Sequence, residues 1–218
     1  MAGKLLITGL ANTGKTSLLK TLKDCLVFAR DGKPFSLPLP HANIPEFDNV
    51  DELLDFVQEK LEAYNEKMGK YPKTVVFDSV SRIFMDMENN CSRKYKGFDV
   101  WSNLSKEVTA LCEAINQLNV NGFNTIMISH CTWDERAGRY TETCKGSFAK
   151  EGGFLSVCDY AINIDRIGSK FIVSHRGNLS RTLLDDMPDK QEVKDFNLQD
   201  YISRISEKSE QVSQEWSI

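Results

Sequence analysis

The run Gly9-Leu10-Ala11-Asn12-Thr13-Gly14-Lys15-Thr16 constrains this chain more than any other stretch. It fits the pattern G-x-x-x-x-G-K-[ST] at every fixed position, a glycine loop whose successive backbone N–H groups converge on an anion. Before it, Lys4-Leu5-Leu6-Ile7-Thr8 is a short apolar run suited to a buried parallel strand. After it, Ser17-Leu18-Leu19-Lys20-Thr21-Leu22 continues as a helix. Strand, loop and helix in that order aim backbone donors at phosphate. Nucleoside triphosphate binding follows, with Gly9, Ala11, Asn12, Thr13, Gly14, Lys15, Thr16 and Ser17 as the binding residues. Lys15 would reach the β- and γ-phosphates, and the Thr16 hydroxyl would be a ligand for Mg²⁺.

A chain of 218 residues suffices for one domain with a sheet covered on both faces. No stretch approaches the apolar length of a membrane span, and Met1 leads straight into the first strand. The expectation is a cytoplasmic protein without a membrane partner. Six cysteines are scattered without a C-x-x-C pair, which reads as reduced thiols. The spacing of His130, Cys131, Cys144 and Cys158 is too irregular for a zinc site. A net charge of −4 argues against a uniformly basic surface but not against a local basic track. Acidity gathers late, because residues 185–218 hold nine Asp or Glu against four Lys or Arg.

Strand-like and helix-like runs alternate, which predicts an α/β fold with a mostly parallel central sheet flanked by helices. Expected strands are 4–8, 25–29, 74–78, 124–129, 159–164, 170–175 and 181–184. Helices are expected at 15–23, 51–67 and 102–120, the second capped by Asp51 or Asn49. Residues 1–187 form the expected core. From Pro188 an acidic tail, 188–218, carries a short amphipathic helix near 198–212, whose Tyr201, Ile202 and Ile205 stripe would pack on the parent domain.

Thr74-Val75-Val76-Phe77-Asp78 is an apolar run ending in an acid. About 60 residues after a phosphate loop, such an Asp at the carboxyl end of a parallel strand holds Mg²⁺. Thr16 and Asp78 are therefore the candidate metal residues. A second buried run, 123–130, ends in Ser129 and His130, and Ser129 or His130 would sense the γ-phosphate or polarise the attacking water. Hydrolysis also needs an acid to orient water in line. The Asp78-Ser79 pair lacks the usual adjacent glutamate, leaving Asp31 as first candidate and Glu46 as second. With Lys15 and His130 they complete the candidate catalytic set.

Phosphate loop, Phe77-Asp78-Ser79 and a strand ending in His130 occur in an order that resembles RecA-like ATPases. The chain is most similar to the small phage-encoded, core-only members that accompany single-strand annealing recombination. Ala29-Arg30-Asp31-Gly32-Lys33, Asp78-Ser79-Val80-Ser81-Arg82 and the run from Gly146 to Leu155 carry that narrower resemblance, which covers roughly residues 1–200. It implies a RecA-like P-loop NTPase fold with late antiparallel strands, ATP and Mg²⁺ as cofactors, and weak or DNA-stimulated ATP hydrolysis. It also implies single-stranded DNA as partner, with an annealing or single-strand binding protein and a homo-oligomer as further candidates. In such assemblies a late cation reaches the neighbour's γ-phosphate, and the matching positions here are Lys170, Arg176 and Arg181.

The resemblance places two loops on DNA, one after each of the strands ending in Asp78 and His130. Residues 91–101 interleave basic and aromatic side chains, among them Arg93, Lys94, Tyr95 and Lys96, and residues 136–150 include Lys145, Phe148 and Lys150 among glycines. Cations neutralise phosphates while aromatic faces stack on unpaired bases, without base readout. The acidic tail would compete with DNA for these loops or be solvated decoration. Two other classes compete with this reading. One is a small-molecule P-loop kinase, and the other is an ATP-gated adaptor that does not hydrolyse. A GTPase is disfavoured because the chain has no Asn-Lys-x-Asp run.

Overall fold

The computed structural model describes residues 2–30 and 34–216, without the side chains of 212–216. Among the described residues nine strands form one mixed sheet: β1 (Lys4–Gly9), β2 (Cys25–Ala29), β3 (His41–Asn43), β4 (Thr74–Asp78), β5 (Asn124–Asp134), β6 (Arg139–Glu142), β7 (Tyr160–Ile167), β8 (Lys170–Ser174) and β9 (Lys190–Glu192). Their order is β3-β2-β4-β5-β1-β7-β8-β9, and β6 pairs with the outer half of β5. The strands from β3 to β7 in that order run parallel, while β8 is antiparallel to both β7 and β9. The mostly parallel sheet is the arrangement that the alternating sequence predicts, and the late antiparallel strands are those that the RecA-like resemblance implies.

Period-two burial sorts the strands' side chains onto two faces. Leu6, Phe28, Phe77, Met127 and Ala161 face helices α2 (Val50–Met68), α3 (Val80–Lys94) and α4 (Phe98–Val120). Two shorter helices follow, α5 (Gly146–Lys150) and α6 (Gly153–Val157), and Phe154 of α6 enters the same core. Leu5, Ile7, Val27, Val76, Ile126, Ile128 and Ile162 face the other way, against α1 (Lys15–Leu18) and α7 (Leu198–Trp216). Helices on both faces explain why the central strands read as unbroken apolar runs.

α2 starts where Asn49 Oδ1 accepts the Glu52 N–H at 3.0 Å, a cap contributing about 1 kcal/mol, and stops at Gly69 in the left-handed conformation. α1 is shorter than the sequence predicts. It tightens into a 3-10 turn over Leu19–Thr21, and Asp24 at φ 57 then turns the chain into β2. Helix α3 lies outside the expected elements, although Val80, Ile83, Phe84, Met87 and Cys91 recur at helical spacing. Its buried polar residues obscure the stripe, and each has a distant partner. Asp86 pairs with Arg30 at 2.7 Å, Asn90 donates to the Phe47 carbonyl, and Ser81 Oγ accepts the His130 N–H at 3.1 Å.

The expected strand 181–184 is reduced to a single bridge between Arg181 and Ala161. The stretch after Pro188 is integrated in the fold. β9 extends the sheet, and Leu198, Tyr201, Ile202 and Ile205 of α7 are buried in the second core. Each such side chain contributes roughly 1.5–3 kcal/mol on burial. Around them His175 is fully buried against Phe196 and Tyr201, and burial beside Arg176 and Arg204 lowers its pKa to about 4. α7 docks at the amino-terminal edge of the parallel strands, where Ser206 donates to Asn124 and Ile205 lies on Gly3. That edge is opposite the phosphate loop, so the structure does not bring this helix onto the segments 91–101 and 136–150. Among the described residues no helix is long and apolar enough to cross a membrane.

Candidate functional site

β1 ends at Gly9 at the carboxyl edge of the sheet, between β5 and β7. A methyl group at Gly9 would lie 2.5 Å from the Ile164 carbonyl oxygen and 2.7 Å from Thr13 Oγ1, so only glycine lets the loop leave the sheet here. Ala11 and Asn12 are exposed at the tip, with Asn12 at φ 62. Thr13 closes the loop by donating its hydroxyl to the Leu10 carbonyl at 2.9 Å, and Gly14, at φ 84, starts α1. Left-handed backbone at Asn12 and Gly14 curls the loop into the concave form that binds anions. Lys15 is buried, its Nζ donating to the carbonyls of Gly9 at 2.8 Å and Leu10 at 2.7 Å. Ser17 is exposed on the first turn.

Two strand ends complete the site. Thr16 Oγ1 donates to Asp78 Oδ2 at 2.8 Å, joining α1 to the tip of β4. A hydroxyl and a carboxylate at that separation are hard oxygen donors of the kind Mg²⁺ takes, so these residues fit the ion. His130 Nδ1 accepts from Lys15 Nζ at 3.3 Å, which sets the ring tautomer with its lone pair on that nitrogen. The histidine's backbone is held too: its N–H donates to Ser81 Oγ, and its carbonyl accepts the Thr143 N–H at 3.2 Å. β5 thus joins the phosphate-loop lysine directly to the segment that begins after β6.

Behind β5, on the opposite face, Glu142 is the group that sequence reasoning did not single out. Its carboxylate accepts the Leu155 N–H at 2.9 Å and the Ser129 hydroxyl at 3.4 Å, and so caps α6. Burial raises its pKa to about 7, partly offset by the N–H groups of Leu155 and Phe154. Nothing local marks this acid, because Arg139-Tyr140-Thr141-Glu142 reads as an exposed hairpin strand. Folding the segment 146–157 back over it is what leaves it only half-exposed.

The remaining expected site residues are dispersed. Asp31 lies outside the described residues, and Glu46 is exposed beyond β3. Residues 91–101 are the end of α3 and the start of α4 with a short junction between them, instead of an open loop. There Arg93, Tyr95 and Lys96 are exposed, while Lys94 Nζ donates to the Asp48 carbonyl. Phe148 is not available for stacking on a ligand, since its ring packs on Phe84 and edge-on to Phe154. Lys145 pairs with Glu88 at 2.9 Å, and Lys150 is exposed. The three expected intersubunit cations are engaged within the chain. Lys170 pairs with Glu192, Arg176 with Asp189 and the Met187 carbonyl, and Arg181 donates to the Leu155 carbonyl. All six cysteines are free thiols, and among the described residues no group of three or more His, Cys, Asp or Glu converges as metal ligands.

A family model described as an AAA domain matches residues 1–166, which include the phosphate loop, Asp78 and His130. The chain belongs to the AAA domain family. Among solved structures, this family member is similar to a KaiC-like protein of the hyperthermophilic archaeon Pyrococcus horikoshii. The TM-score is 0.51 at 14% identity, over 87% of this chain and 84% of that one. At that identity the likeness shows the fold alone, a RecA-like P-loop NTPase fold. No curated protein matches the chain.

Proposed function

We propose that the protein hydrolyses ATP with Mg²⁺, binds single-stranded DNA, and acts in DNA recombination or replication of the phage type. The carrying observation is the placement of His130, whose ring meets Lys15 and whose carbonyl holds Thr143. Lys15 and the loop amides bind the triphosphate, and Lys15 exchanges the Gly9 and Leu10 carbonyls for phosphate oxygens. Thr16 and Asp78 would hold Mg²⁺, which when bound offsets the charge on the β- and γ-phosphates. Asp31 or Glu46 orients the water. His130 loses or keeps its lysine contact according to whether a γ-phosphate is present. Thr143 passes that difference to residues 145–157, which carry Lys145 and Lys150.

One observation favours a second reading. The residue after Asp78 is Ser79, not glutamate, as expected of an ATP-gated adaptor with little hydrolysis. Mg²⁺-dependent phosphate release, measured with and without oligothymidylate, separates the two, with Lys15→Ala as the blank. The proposal expects turnover that rises with the single strand and disappears in the variant. Tight ATP binding without turnover would favour the adaptor. Phosphate transfer to a small acceptor would establish a kinase and overturn both.

A further inference from the structure

Between the first turns of α4 and the short helix α5 lies a cavity of about 640 Å³, within the size range of small-ligand sites. Phe98, Trp101, Ser102, Lys106, Gly146 and Lys150 are among its lining. Phe98 is 82% exposed and Trp101 is 43% exposed, and these large apolar side chains face solvent on the same side of one helix. We infer that this cavity is a subsite for one nucleotide of a single strand, its base stacked on Phe98 and Trp101 and its phosphates between Lys106 and Lys150. The inference rests on the single-strand reading above.

Phe98 and Trp101 are three apart on α4 and are therefore neighbours on its surface. Gly146 sets the floor. A methyl group built there would stand 3.2 Å from the Trp101 ring, so the indole lies close over the backbone and is restrained without being buried. The entropy cost of ordering the ring on a ligand is correspondingly small. Among the described residues no carboxylate lines the cavity, and both of the charged ones that do are lysines. Among the described residues neither Lys106 nor Lys150 takes part in an ion pair, unlike Lys145, which is held by Glu88. The hydroxyls of Ser102 and Ser105 add donors between the aromatic and cationic parts.

The surroundings extend the same chemistry. Exposed Arg93, Tyr95 and Lys96 lead into Gly97, whose φ of 61 turns the chain into α4 immediately before Phe98. A polynucleotide seated in the cavity would meet those cations with its next phosphates. Two aromatic faces among lysines and serines suit stacking and phosphate neutralisation without base readout. A protein partner would need about 800 Å² of complementary surface, whereas the cavity presents two exposed rings, Phe98 and Trp101. The stacking role expected of Phe148 therefore passes to Phe98 and Trp101.

The test uses the full chain and fluorescein-labelled oligothymidylate, followed by anisotropy. Phe98→Ala is expected to weaken binding by about 5- to 150-fold, as loss of a stacked base does, and Phe98→Tyr to restore it. Because Phe98 is exposed, the variant keeps the wild-type fold, checked by its thermal melt. Lys106→Gln and Lys150→Gln should each lower the salt slope by about 0.7. With Trp133→Phe and Trp216→Phe in place, Trp101 is the only tryptophan, and its emission should be quenched by the oligonucleotide. If the wild type binds the strand and Phe98→Ala and Trp101→Ala bind it equally well, the subsite is wrong and the single-strand reading stands. If the wild type binds no single strand, that reading fails and takes the subsite with it. Quenching of Trp101 by an acidic peptide and not by the oligonucleotide would also overturn it.

Discussion

Glu142 carries a pKa of about 7 because burial disfavours its charge more than its hydrogen bonds to Leu155, Phe154 and Ser129 favour it. The folded state therefore holds this proton to higher pH than the unfolded chain does. Stability from this group is greatest below the ordinary glutamate range, where both states are protonated, and falls as pH rises through that range to about 7. Glu142→Gln keeps an acceptor for the Leu155 N–H and removes the charge. It should be more stable than the wild type at pH 8 by on the order of 1 kcal/mol, and equal to it near pH 4. His175 works in the opposite sense, since its pKa is lowered to about 4 and stability is lost as pH falls from 6.5 toward that value. The two drifts overlap, so the informative quantity is the difference between the variant and the wild type at each pH. A Glu142→Gln curve parallel to the wild type from pH 4 to 8 would show that the carboxylate is not enclosed.

At the scale of elements, α7 depends on the absence of a side chain at Gly3. A Cβ there would fall 2.0 Å from Ile205 Cγ2, far inside contact distance. Gly3→Ala should therefore displace the helix, costing about 1–3 kcal/mol and raising hydrogen exchange in residues 198–205 ahead of the central strands. Unchanged exchange would mean that the helix is held elsewhere. The periodicity that made this helix legible also marked α2, α4 and the central strands, because long runs with one buried face carry their pattern locally. Helix α3 was not legible, since Asp86, Asn90 and Ser81 interrupt its stripe and find partners only in the folded chain. β3 and β9 span three residues each, too few for alternation to register. The site divides in the same way. The phosphate loop and Asp78 were legible because their geometry is set by neighbours in sequence. Glu142 and the Phe98 cavity arise from segments that meet only after folding.

Across the whole molecule, the strands connect three regions that share no local sequence. The carboxyl edge carries Lys15, Thr16, Asp78 and His130, while α7 closes the opposite edge on Gly3 and Asn124. β5 crosses between the faces, with the His130 ring toward Lys15 and the neighbouring Ser129 hydroxyl toward Glu142. Nucleotide and single strand would thus act on one strand from its two sides, and their binding energies should be linked reciprocally. The direct measurement is the affinity of the full chain for oligothymidylate, with and without Mg²⁺ and a non-hydrolysable ATP analogue, in the wild type and in His130→Ala. The account predicts that the analogue tightens binding of the strand by about 5- to 150-fold, and that His130→Ala removes the gain while leaving nucleotide-free affinity in place. Equal affinity with and without nucleotide in the wild type would contradict it.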